Sequence, residues 1–207
     1  MSPQNGEPLH YFGLNCTLKA SPKESSTDVL LGEITDRLEK AGALGSTERV
    51  VDHDVRFGVT SDEGGGDGWP ALRNKILDSD ILVVGTPIWM GHPASVTQMV
   101  LERLDAFLGE EDDKGRMISY DSVAIVGVVG NEDGAHHVGA EVFQGLNDVG
   151  FTLPAGAMTY WVGEAMHKTD FKDLSPLPEK TLETADQMVT NAVHLAEILR
   201  AAPYPAS

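Results

Sequence analysis

A second cysteine is missing from this sequence. Cys16 stands alone among 207 residues, which excludes an internal disulfide and any cluster site built from several cysteines. A chain with one thiol suits a reducing compartment, and a cytoplasmic location is the expectation. Positive charge is also scarce, with 15 Lys and Arg against 32 Asp and Glu and a net charge of −17. Duplex binding needs clustered Lys and Arg, so nucleic acid is excluded as the main partner. Any phosphate ligand must be held by local geometry against the overall field. The acidity itself reads as a solvated surface, with salt adaptation or a basic protein partner as the other reading. Long apolar runs are absent too, because Gly, Pro or charge breaks each one, so no membrane span is expected. Met1 to Glu7 is polar and lacks the charged, apolar and small-residue order of a leader, and reads as a loose arm.

What the chain does have is an alternation of buried runs and amphipathic segments. Residues 9–15 (LHYFGLN) read as a short buried strand. Ser26 or Thr27 then caps a helix with Leu30, Ile34, Leu38 and Ala41 about one turn apart, ended by Gly42 and Gly45. Residues 50–55 are the candidate second strand. A long loop over 56–68 contains the run Gly64 to Gly68, which reads as a mobile loop or a lid over a nicotinamide. Residues 69–77 are helical by the spacing of Leu72, Ile76 and Leu77. Residues 81–84 (ILVV) form the clearest strand, continuous and therefore buried on both faces. A helix with Val96, Val100, Leu104 and Phe107 on one face follows. Residues 122–129 (SVAIVGVV) form the next strand, 137–149 a helix, 152–162 contain the last strand, and 181–199 a final helix.

Strands alternating with helices imply right-handed crossovers and a parallel sheet. Five strands in about 200 residues suit an α/β, doubly wound five-stranded parallel sheet of order 2-1-3-4-5 with helices on both faces. No repeat or linker divides the chain, so one domain is expected over 1–207, with 1–8 and 203–207 as loose ends. Residues 163–178 read as a hairpin or lid excursion.

In such a sheet, ligands bind beyond the carboxyl ends of the strands, near the point where the strand order reverses. Three loops of unusual composition fall there. The first, 16–27, offers hydroxyls and the amides that open the first helix, a setting for a phosphate dianion, and Lys19 adds a positive charge. An N-cap within an ordinary Ser-rich loop explains the same residues. Neither GxGxxG nor GxxxxGK[ST] is present, which disfavours dinucleotide and Walker-type sites. The second loop, Thr86-Pro87-Ile88-Trp89-Met90-Gly91-His92-Pro93, brings an aromatic and glycine to the edge, where backbone can approach a flat heteroaromatic ring. Its plainer reading is a strand–helix turn with Trp89 in the core. The third is Gly130-Asn131-Glu132-Asp133-Gly134-Ala135-His136.

The segment from Asp80 to Leu104 resembles the flavin-contacting stretch of NADPH-dependent FMN reductases and related quinone reductases. That family ends a strand in [ST]-P-[IV]-[YW]-x-G, followed by a Pro/Ser turn and a helix ending near Asp-Arg or Glu-Arg. The resemblance covers about residues 9–163 and implies a flavodoxin-like fold. Carried over by position, Thr17, Lys19, Ser25, Ser26 and Thr27 would hold the FMN phosphate. Thr86, Pro87, Ile88, Trp89, Met90 and Gly91 would border the isoalloxazine ring, with Asn131, Glu132, Asp133 and Gly134 on its other side. This chain departs from the pattern at the phosphate loop, which is longer than the family's small-x-Arg form and uses Lys19.

The resemblance further implies hydride transfer from NADPH or NADH to FMN and on to a quinone, free flavin or other small electrophile. The flavin performs that chemistry while the protein positions it, so no protein nucleophile or base is required. A homodimer or homotetramer is implied as well, with 163–178 covering a neighbouring subunit's flavin. Two rivals stand beside this reading: a flavodoxin-type electron carrier docking to a redox protein, and a flavin-free interaction domain.

Other polar residues have plain explanations. Glu132 and Asp133 precede a helix, where acids complement the dipole. His136 and His137, with Glu141 one turn on, hint at a metal, but no second pair completes a ligand set and none is expected. His136 could instead orient a substrate. Asp52, His53 and Asp54 read as a polar strand end, and Tyr160 and Trp161 as core, pocket wall or subunit contact.

Overall fold

The computed structural model describes residues 7–165 and 167–206. Most of the arm expected over 1–7 therefore lies outside the described residues. The elements in chain order are β1 (His10–Asn15), α1 (Ser26–Lys40), β2 (Leu44–Arg49), α2 (Trp69–Leu77), β3 (Ile81–Trp89), β4 (His92–Pro93), α3 (Ser95–Leu104), β5 (Val123–Gly130), α4 (Ala135–Asp148), β6 (Met158–Val162) and α5 (Glu179–Ala201). The main sheet is parallel and runs β2-β1-β3-β5-β6, while the two-residue β4 pairs antiparallel with the end of β3. With β4 set aside, this is the expected order of 2-1-3-4-5.

The period-two geometry of a strand sends alternate side chains to opposite faces, and the central strands use both. Leu82 and Val84 of β3, with Ala124, Val126 and Val128 of β5, join Trp69 and Leu72 of α2, Val100 and Leu104 of α3, and Val138 and Val142 of α4. Ile81, Val83, Val123 and Ile125 point the other way, to Leu30, Ile34 and Leu38 of α1 and Met188 and Ala192 of α5. Each large side chain buried this way contributes roughly 1.5–3 kcal/mol. Among the described residues, no helix is long and apolar enough to cross a membrane.

The second strand is displaced from its expected place. Residues 44–49 (LGSTER) form it, pairing only with β1, from His10 opposite Leu44 to Asn15 opposite Arg49. An edge strand can form on backbone pairing alone, and most side chains of β2 are exposed. Val50, the buried residue that attracted the strand reading, lies instead in a 3-10 turn, Val50–Asp52. Gly45, expected as a helix terminator, belongs to β2, and α1 stops at Ala41.

The glycine run is not a free lid. Arg103, near the end of α3, has a fully buried side chain whose guanidinium lies 2.7 Å from the equally buried Asp67 carboxylate. It also donates to the carbonyls of Arg56 and Thr60, each at 2.8 Å. Asp67 accepts from the amides of Arg56, Glu63 and Trp69. The tail near 203–206 is fastened as well, because the Tyr204 amide donates to Asp121 and its carbonyl accepts from Arg116.

Candidate functional site

The carboxyl ends of β1, β3 and β5 meet beside the N-terminus of α1. Ser25, one residue before the expected cap, is the N-cap: its extended backbone lets the hydroxyl accept from the Thr27 amide at 3.2 Å. Ser25 Oγ also donates to Thr17 Oγ1 at 3.1 Å, and Thr17 accepts from the Lys19 amide. The Ser26 hydroxyl accepts from the Lys172 amide at 3.3 Å. A cluster of uncharged hydroxyls and amides thus surrounds the positive end of α1. Cations stand at its margin. Lys19 Nζ donates to the Glu24 carbonyl, and Lys172 pairs with Asp173 at 2.6 Å. The hydrogen bond that Lys172 donates to Asp173 raises the Lys172 pKa above the ordinary lysine range.

From this end a cleft of about 230 Å³ runs along the sheet edge. Thr17, Lys19, Ser25, Ser26, Thr27, Pro87, Ile88, Trp89, Asn131 and Glu132 all line it. Leu18, Val129, Gly130, Trp161 and Asp170 complete its wall. Trp161 is therefore a pocket-wall residue, and it also touches the buried Phe171 at 5.5 Å between ring centroids. A larger hollow of about 460 Å³ lies between α1 and β2, lined by Asp28, Thr35, Glu48 and Arg49 among others. Its walls carry no Trp, Tyr or Phe, and Asp28 and Arg49 close on each other as an ion pair. A polar notch of that kind offers nothing flat and apolar to stack on, so the smaller cleft is the candidate site.

Five expected residues do not line the cleft. Thr86 is buried and its hydroxyl bonds to Thr97 at 2.7 Å, which turns it into the α3 packing. Met90 projects into solvent and has a left-handed backbone, φ 54°. Its amide donates to the Glu132 carboxylate at 2.9 Å, which ties the second loop to the third. Gly91 and Gly134 meet backbone to backbone. A Cβ on Gly134, whose φ is 118°, would lie 2.8 Å from the Gly91 Cα. Asp133 stands outside with them. These residues hold the ring-side loops together and leave the wall to Pro87, Ile88, Trp89, Asn131 and Glu132.

Asp170 and Leu18 were missed in the sequence. Asp170 sits in the segment expected to reach a neighbouring subunit, and around it that segment is also bonded to its own chain. Asn131 donates to Asp170 at 2.8 Å, the Lys172 amide reaches Ser26, and Phe171 is fully buried. The local signal at Asp170 is a capping box with Asp173 around a 3-10 turn, which marks a turn and not a site. Cys16 lies under the cleft and is fully buried, and burial pushes its thiol up to about 12. It stays protonated and is no nucleophile. Beyond the rim, His136 Nε2 lies 3.2 Å from the Tyr160 hydroxyl.

The donor set fits a flavin mononucleotide. Hydroxyls and helix-terminal amides suit a phosphate, and Trp89, Trp161, Pro87 and Ile88 give flat and apolar walls for a ring. Asn131 and Asp170 offer hydrogen bonds in between.

The fold is that of a flavodoxin-like α/β protein, and the candidate cleft lies at the switch point of its 2-1-3-4-5 sheet. The family described as NADPH-dependent FMN reductase matches residues 16–167, and the chain belongs to it. By its description, that family comprises reductases that use FMN and NADPH. The chain is 35% identical over 207 residues to the divalent metal cation transporter MntH of Mycobacterium bovis, with 97% of this chain matched. It spans only 30% of that relative's length. It is 34% identical to 8-demethyl-8-aminoriboflavin-5'-phosphate synthase of Streptomyces davaonensis, covering 92% of this chain and 78% of that one. Among solved structures it is similar to RosB with the bound intermediate 8-demethyl-8-formylriboflavin-5'-phosphate. That match has a TM-score of 0.87 and 33% identity, and covers 95% of this chain and 82% of the other.

Proposed function

We propose that this chain accepts hydride from NADPH or NADH onto FMN held in the 230 Å³ cleft, and passes the electrons to a small electrophile such as a quinone or free flavin. One observation carries the reading: a single cleft joins the hydroxyl-lined N-terminus of α1 to the Trp89 and Trp161 walls. Bound FMN supplies the redox chemistry. The chain's own residues bind and orient. Thr17, Ser25, Ser26 and Thr27 hold the phosphate with the α1 dipole, and Lys19 lowers the cost of bringing a dianion to an acidic protein. Pro87, Ile88, Trp89 and Trp161 exclude water from the ring. Asn131, oriented by Asp170, donates toward the ligand, and Glu132 keeps the ring-side loop in place through the Met90 amide. The exposed face of Trp89 leaves an approach for nicotinamide and acceptor. A homodimer or homotetramer belongs to this reading, and size-exclusion chromatography with light scattering checks it.

A second reading is supported by the 34% identity to a relative named as synthase of an aminoriboflavin phosphate. In it, FMN is the substrate and is altered on its ring. One experiment separates the two. The FMN-loaded protein is titrated anaerobically with NADPH and then NADH while flavin absorbance is followed, and the flavin is afterwards recovered and weighed by mass spectrometry. Bleaching, reoxidation by a quinone and an unchanged flavin mass are expected. Absence of bleaching with both donors overturns the reductase reading, and a changed mass selects the second.

A further inference from the structure

Outside the cleft, among the described residues, one group of metal-ligating side chains comes together from separate elements. His92 lies on β4, while His137 and Glu141 lie one turn apart on α4. His92 Nδ1 is 2.9 Å and His137 Nε2 2.6 Å from the same oxygen, Glu141 Oε1. The two imidazoles meet edge to face with centroids 4.8 Å apart. All three ligand atoms lie within 4.8 Å of one another. Sequence spacing showed only the His137–Glu141 pair; the fold supplies the third member, from 45 residues earlier in the chain.

We propose that His92, His137 and Glu141 form a surface site for a divalent transition-metal ion of the zinc type. Two imidazole nitrogens and a carboxylate make a borderline donor set, which suits zinc and its neighbours, whereas magnesium and calcium take oxygen ligands. Bonds of about 2.0–2.2 Å at tetrahedral angles set neighbouring ligand atoms about 3.3–3.6 Å apart. The two nitrogen-to-oxygen contacts therefore have to open by less than about 1 Å, and the gap between the histidines has to close. Both imidazoles are more than half exposed, so they can turn to do this and an ion can enter from solvent. Three protein ligands leave a fourth position to water.

The position gives the site a structural consequence. β4 follows directly on Met90 and Gly91, which contact Glu132 and Gly134 at the ring side of the cleft. An ion bridging His92 to α4 adds a tie on the outer side of the same two loops. The site stands apart from the cleft, so its test is independent of the proposed reaction.

The test uses the untagged, FMN-loaded chain, freed of metal with a chelator and titrated with Zn²⁺ against a chromophoric competitor. Uptake of one Zn²⁺ per chain is expected, with a rise in Tm that grows with ion concentration. The double variant His92→Ala with His137→Ala should bind about tenfold or more weakly, and Glu141→Gln likewise. His167→Ala, whose imidazole pairs with Glu164 elsewhere, should bind as the parent does. Circular dichroism and flavin content check that the variants keep the fold. No uptake by the parent overturns the proposal, and so does a double variant that binds Zn²⁺ as tightly as the parent.

Discussion

Two loops leave the carboxyl edge of the sheet side by side, and composition misjudges which of them is held firmly. Residues 16–25 join β1 to α1; residues 56–68 lie between β2 and α2 and contain four of the chain's glycines in one run of five residues. The glycine-rich loop is the one anchored from inside, by Arg103 and Asp67, whose side chains are fully buried. The first loop is exposed from Leu18 to Glu24 and is tied at its surface, by Ser21 to the Asp52 carboxylate and by the Lys19 carbonyl to Arg49. Glycine permits a backbone path, but the partners of the loop's polar groups decide whether that path is fixed. Here the firm loop is scaffold and the lightly tied one belongs to the site.

Breaking the buried anchor should have the largest effect. Arg103→Met leaves the Asp67 carboxylate without its counter-charge and frees the Arg56 and Thr60 carbonyls. A loss of about 3–5 kcal/mol is expected, read by urea denaturation, with new proteolytic cutting confined to 56–68. An unchanged midpoint would put the anchor elsewhere.

Acid should loosen the same loop by a smaller amount. Burial works against the charged form of Asp67, yet the amides of Glu63, Arg56 and Trp69 and the Arg103 guanidinium outweigh it and hold the pKa at about 2. That value lies below the unfolded one of about 3.9. The stabilisation is therefore present above roughly pH 4 and is lost as the pH falls through about 2, amounting to about 2–3 kcal/mol. Hydrogen exchange of 56–68 across that range checks it. Asp67→Asn should remove this component and leave the one from Asp112, which is also held at about 2, chiefly by its hydrogen bond from Arg116.

The surface-tied loop should respond through the ligand more than through stability. Ser25→Ala deletes the α1 cap and one cleft hydroxyl, so about 1 kcal/mol of stability should be lost together with FMN retention, measured by equilibrium dialysis. Lys19→Ala should have the smallest effect, about two- to fivefold weaker FMN retention and no measurable change in Tm, since exposed charges act weakly. A Lys19→Ala variant that loses stability like Arg103→Met would erase the contrast between the loops.

Much of the fold was legible because its central strands are buried on both faces. Residues 81–84 and 122–129 advertise that burial as continuous apolar runs, and α2 was bounded correctly from Trp69 to Leu77. β2 was not legible, because an edge strand of LGSTER sequence is stabilised by backbone pairing with β1 and leaves no apolar pattern. At the cleft, the loops themselves could be read, but not which side chains face inward. Thr86 has the right type and position, yet its hydroxyl is satisfied by Thr97 inside the core. Asp170 and His92 reach their neighbours through tertiary packing, from segments whose local pattern says only turn or strand end.

The solitary thiol has a practical bearing on these loops. Cys16 is buried and its pKa is raised to about 12, so the parent chain gives almost no background with a maleimide reagent. A cysteine introduced at Phe57, which is 82% exposed, or at Leu18, 48% exposed, would be the single labelling point on its loop. One protein background therefore serves to attach a spin label or fluorophore to either loop in turn and compare their motions directly.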